Sequence, residues 1–290
     1  MKKIAGVLLV ILGMIMFAHA IWWSPFNFFV AHTKKEEEKL SVSSVDSIEL
    51  DVTSEDLTIL PTDEDKLKVI AKGRDLNHVS FIVDRDDHTV QISLKPKWYS
   101  FSDTNELKLL VYVPKNQLFH ISAKAASRVI QIGDHKTPKW NIGNLNIDIS
   151  SGIANLQNLK IENLTYNGTS ADISLNRVNA GKATMDTFSG NMNISHYTGM
   201  LNLASTSGDI RIQVDKLIGD IHTELVSGNE TLYLPKNASF ILHSKLQSGQ
   251  LTATYPLQLQ KPSASETTAK SGSGRYKIGT KIDSGDFIIH

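Results

Sequence analysis

The 290-residue chain contains no cysteine. That excludes a disulfide framework, thiolate catalysis and cysteine-ligated zinc or iron-sulfur centres. It also has no excess charge, with 30 Lys and Arg against 30 Asp and Glu. The concentrated basic surface that binds phosphate backbones is therefore missing, and no nucleic-acid partner is expected. The ten histidines are scattered, and none forms a His-x-His or His-Glu-x-x-His pair that would put two ligands on one metal. There is no Gly-x-Ser-x-Gly elbow and no phosphate-binding Gly-Lys-Ser/Thr loop. Aromatics make up 7% of residues, and beyond Trp23 the only tryptophans are Trp98 and Trp140. A solenoid enzyme acting on polysaccharide would need converging carboxylates and several aromatic platforms. These absences point away from an enzyme and from any cofactor or metal.

Long apolar runs are also absent after residue 30, but one opens the chain. Lys2 and Lys3 precede Ile4 to Trp23, 20 almost uninterrupted apolar residues, enough to span the roughly 30 Å hydrocarbon core of a bilayer as a helix. Trp22 and Trp23 fall where an interfacial aromatic belt would lie, and the lysines favour a cytoplasmic N-terminus. A single-pass anchor over residues 1–30, with the rest extracytoplasmic at the cell membrane, is the preferred reading. Ala18-His19-Ala20 also matches a signal-peptidase site, and cleavage there would release the protein. Residues 31–43 hold Lys34-Lys35-Glu36-Glu37-Glu38-Lys39, which reads as a solvated, charge-paired stalk.

After the stalk, helical periodicity gives way to alternation. A Ser-Gly or Ser-Ala pair recurs at Gly152, Ala171, Gly190, Gly208, Gly228 and Gly249 with spacings of 18 to 21 residues, and again at Gly285. Apolar residues two apart follow each pair, as in Ile173 and Leu175 or Ile210 and Ile212. Alternation marks a strand with one buried face, and a recurrent Gly marks a turn needing positive φ or close backbone approach. Units this short cannot close a core alone, so they are expected to stack as coils of a β-solenoid. An antiparallel meander with Ser-Gly turns would leave a similar trace. The expected organisation is an antiparallel β section over 44–140 and parallel solenoid repeats over 141–290. A Ser/Thr/Gly/Lys-rich loop insertion is expected at about 257–275. A longer repeat, at an offset of 121, relates Pro114-Lys115-Asn116, Phe119, Lys124 and Ser127 to Pro235-Lys236-Asn237, Phe240, Lys245 and Ser248.

Polar residues in the repeats read as structural. Asp172, Asp209 and Asp286 follow the Ser-Gly position and are expected to cap turns, since the paired-glycine nonapeptide that wraps calcium is missing. Twelve asparagines between Asn141 and Asn202 suit hydrogen-bonded ladders at coil corners. His196 and His222 read as exposed side chains, and Asp84, Asp86 and Asp87 as a solvated hairpin tip. Trp98, Tyr99 and Phe101, flanked by Lys95 and Lys97, form the one local aromatic cluster and are the candidate contact surface.

The strand ending in Leu234-Pro235, then Phe240 and Ser248-Gly249, together with Ser207-Gly208-Asp209-Ile210-Arg211-Ile212, resembles a widespread bacterial family of adhesin-type, β-strand-rich repeats. The resemblance covers about residues 44 to 290. It implies a solenoid-like domain on the outer face of the membrane and an envelope-stress context, with no catalytic residues. The implied function is a non-catalytic scaffold or interaction module, held to membrane lipid by its N-terminal helix and contacting membrane proteins of an envelope-stress system. The alternative is a solenoid that binds or acts on cell-wall polysaccharide.

Overall fold

The computed structural model describes residues 34–74, 76–97, 107–126, 128–262 and 265–290. The anchor expected over Ile4–Trp23 lies outside the described residues, and among them no helix is long and apolar enough to cross a membrane. Lys35 to His290 form one unit.

It is all-β, with parallel coils of about 19 residues through its centre. Trp140 pairs with Leu159, Ile161 with Ala180, and Ala180 with Gly199. Each coil gives strands to two stacks. The first stack runs Ser47–Val52, His120–Ala125, then the segments beginning at Leu145, Leu164, Ala183, Leu201 and Ile221, all parallel. The second runs Lys108–Pro114, Asp56–Thr62, Val129–Ile132, then the segments at Ala154, Ile173, Met192, Ile210 and Glu230, also parallel. The inward residues of both stacks meet in one apolar core. Parallel pairing superimposes equivalent residues, so Ile173 lies over Met192 and Met192 over Ile210, while Leu175, Ile194 and Ile212 form the next column. In Ile210–Lys216, Ile210, Ile212 and Val214 are buried and Arg211 and Gln213 exposed, as alternation demands.

The Ser-Gly corners explain the period. Gly208 has φ +125°, and a Cβ there would stand 2.2 Å from the carbonyl oxygen of Gly190 in the preceding coil. No other residue fits both the conformation and the approach. Ala171 occupies the equivalent place in its own coil without positive φ, and its carbonyl accepts a hydrogen bond from the buried Tyr166 hydroxyl.

The Asp and Asn residues beside those corners form one ladder. The Asn191 N–H donates to Asp172 Oδ1 (2.7 Å), Asp209 N–H to Asn191 Oδ1 (3.0 Å), and Asn229 N–H to Asp209 Oδ1 (2.9 Å). Asp286 N–H then donates to Asn229 Oδ1 (3.1 Å) and Gln250 N–H to Asp286 Oδ1 (2.9 Å). A second set of rungs joins Asn163 to Asn144 and Asn167 to Asp148.

Four features depart from the sequence expectations. The 44–140 section is not antiparallel: Ser47–Val52 and Asp56–Thr62 pair in parallel with both of their neighbours. Among the described residues of this section, Lys66–Gly73 on Lys108–Pro114 and Val79–Arg85 on Thr89–Pro96 run antiparallel. Alternation reports which face is buried and carries no information on strand direction, so composition could not separate the two. Residues 34–41, expected as part of a stalk, form a strand paired with Lys66–Gly73, and Glu37 lies 3.9 Å from Lys68. The expected loop near 257–275 is a hairpin, Gln258–Pro262 with Glu266–Ser271, continuing antiparallel from Phe240–Ser248. Finally, the coil 276–289 is inserted between the coils that begin at Ile221 and Phe240. The hairpin, lying in the chain between Leu251–Ala253 and Tyr276–Ser284, accounts for the long last interval of the Ser-Gly series.

Candidate functional site

Because the inward positions are taken by packing, chemistry must lie on outward positions or at coil ends. On the first stack, register aligns three outward columns. One begins at Asn146 and continues through Thr165, Thr184, Asn202 and His222. The next holds Asp148, Asn167, Asp186, Ala204, Glu224 and Lys281. The third, placed by its flanking pairs, brings Phe188, Thr206, Val226 and Asp283 together. Ala204 and Thr206 are short, so the surface sinks there into a groove of about 410 Å³. Phe188 stands on its rim at 64% exposure and Val226 at 49%. Asp186 and Glu224 flank Ala204 two coils apart, about 10 Å at the spacing of parallel strands. An exposed phenyl ring beside carboxylates has the chemistry to contact a protein or a carbohydrate.

Phe188 and Val226 sit in the expected alternation as outward residues, where polar side chains were the norm. Their signal in the sequence is the break of that norm within the period. Glu230 breaks it in the opposite sense. It occupies the inward position held by Ile210 in one neighbouring coil and Phe287 in the other, and it is fully buried. The Thr223 hydroxyl donates to its Oε2 at 2.7 Å and lies 3.1 Å from the Thr280 hydroxyl, while Oε1 has no partner. Burial pushes its pKa up to about 7, against the smaller opposing effect of Thr223 and Thr280. Glu55, buried at a corner, accepts from the Thr53 and Ser54 N–H groups, and burial likewise raises its pKa.

The contact surface expected at Trp98, Tyr99 and Phe101 lies outside the described residues. Its flanking cations are engaged: Lys95 Nζ is 2.5 Å from Asp51, and Lys97 Nζ donates to the Asn77 carbonyl at 2.9 Å. Trp140 is buried in the core. His196 and His222 are both exposed. His196 Nδ1 meets Asp215 at 3.0 Å and His222 Nε2 meets Glu224 at 3.1 Å. Asp86 caps the hairpin tip by accepting from the His88 and Thr89 N–H groups, which lowers its pKa. The corner aspartates, expected to cap their own turns, instead bridge coils: Asp172, Asp209 and Asp286 accept from the Asn191, Asn229 and Gln250 N–H groups of the neighbouring coil. Among the described residues no three His, Asp or Glu side chains come close enough to hold a metal ion.

The fold is shared with a solved structure. A protein described as a "putative adhesin" from Bacteroides fragilis is 15% identical with a TM-score of 0.54, over 88% of this chain and 97% of that one. Another so described, from Parabacteroides distasonis, is 12% identical with a TM-score of 0.44, over 90% and 98%. A "putative lipid binding protein" from the same species is 14% identical with a TM-score of 0.43, over 89% and 97%. No curated protein matches the chain. The family model described as Toastrack DUF4097 matches residues 45–290, the whole run of coils, and the chain belongs to that family.

Proposed function

We propose that the chain is a non-catalytic, membrane-anchored extracytoplasmic module that docks membrane proteins of an envelope-stress system, in the manner of the LiaG-like proteins encoded beside stress-sensing two-component systems. In this reading residues 1–30 anchor the chain in membrane lipid with the N-terminus cytoplasmic. The strand-rich part from Lys34 onward then stands outside. The observation that carries it is the division of labour in the coils: inward side chains are consumed by packing, while the outward face offers the Phe188 and Val226 groove. Trp98, Tyr99 and Phe101 provide a second contact surface.

The exposed Phe188, on a groove also lined by Asp186, Glu224 and Asp283, favours one second reading, binding of cell-wall polysaccharide, because sugar rings stack on aromatic faces and hydrogen-bond to carboxylates. A pull-down from crosslinked membranes separates the two. Enrichment of membrane proteins that is lost in Phe188→Ser supports docking. Retention on purified wall polymer, with no enriched membrane protein, overturns it in favour of the polysaccharide reading.

A further inference from the structure

The two ends of the solenoid are finished differently. At the N-terminal end the outermost strands carry charge, Lys34–Ser41 with Lys-Lys-Glu-Glu-Glu-Lys and Val79–Arg85 with Asp84 and Arg85. Charged edge strands block further pairing. At the C-terminal end the second stack finishes with Leu251–Ala253, which pairs on one side with Phe287–Ile289. Among the described residues no strand covers its other edge, and its sequence Leu-Thr-Ala carries neither charge nor proline.

Opposite that edge, the hairpin Gln258–Pro262 and Glu266–Ser271 extends the first stack. Between edge and hairpin lies a groove of about 580 Å³ lined by Ser244, Leu246, Leu251, Tyr255, Leu257 and Leu259, among others, with no charged residue among the described residues that line it. The hairpin's Glu266 is turned to Lys245, 3.4 Å away, and is not part of it. Leu259 is 61% exposed. The Ser244 hydroxyl, on a residue 4% exposed, has no partner.

We propose that this end is a self-association surface, docking the same end of a second copy as a two-fold dimer in which the two Leu251–Ala253 edges pair antiparallel and Leu259 enters the partner's groove. A lining without charge selects an uncharged occupant, since burying an unpaired charge there is costly. The same end supplies both halves of the contact, a bare strand edge with a groove and an exposed leucine to fill one. Self-complementarity of one patch is the condition for an isologous two-fold interface. The charged opposite end offers nothing to continue the stack, so association stops at two copies.

The absence of cysteine gives a direct test on the full chain in detergent. In an antiparallel pair centred on the two-fold, Thr252 faces its own mate. Thr252→Cys is expected to give an oxidised dimer on a non-reducing gel, while Ile82→Cys, exposed on an N-terminal edge strand, stays monomeric. Sedimentation velocity should show a dimer, and Leu259→Lys should raise its dissociation constant at least tenfold at unchanged melting temperature. A monomeric wild-type chain, or equal crosslinking at positions 252 and 82, overturns the proposal. So does a dimer indifferent to Leu259→Lys.

Discussion

The Glu230 carboxyl group accepts a 2.7 Å hydrogen bond from the Thr223 hydroxyl inside the solenoid, at a position where adjacent coils place Ile210 and Phe287. A carboxyl in such a column is held neutral by the cost of burying its charge. Its pKa rises from 4.5 in the unfolded chain to about 7 in the fold. The folded state therefore binds the extra proton, and this contribution to stability is fully present below about pH 4.5 and lost as pH rises through about 7. The loss amounts to at most about 3 kcal/mol by linkage. Thermal melts of wild type and Glu230→Gln from pH 5 to 8 should diverge, with wild type losing stability relative to the variant as pH rises. Parallel curves would show that the carboxyl ionises without cost.

The corner glycines make a second, sharper expectation. At Gly208 a side chain meets both a φ of +125° and the Gly190 carbonyl oxygen. Gly208→Ala should destabilise by about 1 to 3 kcal/mol from the backbone conformation alone, and by more once the collision is included. Ser207→Ala, one residue away and exposed, should fall within about 0.5 kcal/mol of wild type. Chemical denaturation of the two variants checks this, and similar midpoints would contradict the corner geometry.

How much of this could be read from the chain follows from what each pattern encodes. Ile210, Ile212 and their partners Met192 and Ile194 were legible because burial imposes alternation, and Gly208 because its corner admits no other residue. Strand direction in 47–132 was not, since parallel and antiparallel neighbours bury the same faces. Neither was the insertion of the coil 276–289 ahead of the coil at Phe240, because alternation within a coil is the same whichever neighbours it stacks on. Glu230 was visible in principle as the acid at the position of Ile210, but one polar residue in an apolar series reads as an interruption. Phe188 carried the opposite signal, an aromatic at an outward position.

The Asp and Asn ladder should tolerate exchange within the pair and resist truncation. Asp209 Oδ1 accepts the Asn229 N–H at 2.9 Å, and Asn191 performs the same service for Asp209 with an amide oxygen. Asp209→Asn keeps an acceptor in place and should leave stability within about 0.5 kcal/mol. Asp209→Ala removes it and should cost about 1 to 2 kcal/mol. Calcium should shift neither melting curve, because the corner carboxylates serve as caps for backbone N–H groups.

The register of the core is tested by neighbours on opposite faces of one strand. Ile212 is buried in a column with Ile194 and Leu232, while the exposed Arg211 lays its guanidinium 4.6 Å from the centre of the Tyr233 ring. Tyr233 in turn stacks on His290 at 4.7 Å. Ile212→Ala leaves a cavity that the flanking coils cannot collapse into without breaking their own ladders, and should cost about 2 to 5 kcal/mol. Arg211→Ala loses a solvent-exposed cation–π contact of about 0.5 to 1 kcal/mol. Guanidinium unfolding should therefore separate the two variants by at least about 1 kcal/mol with unchanged m-values, and equal losses would mean that the strand faces the other way.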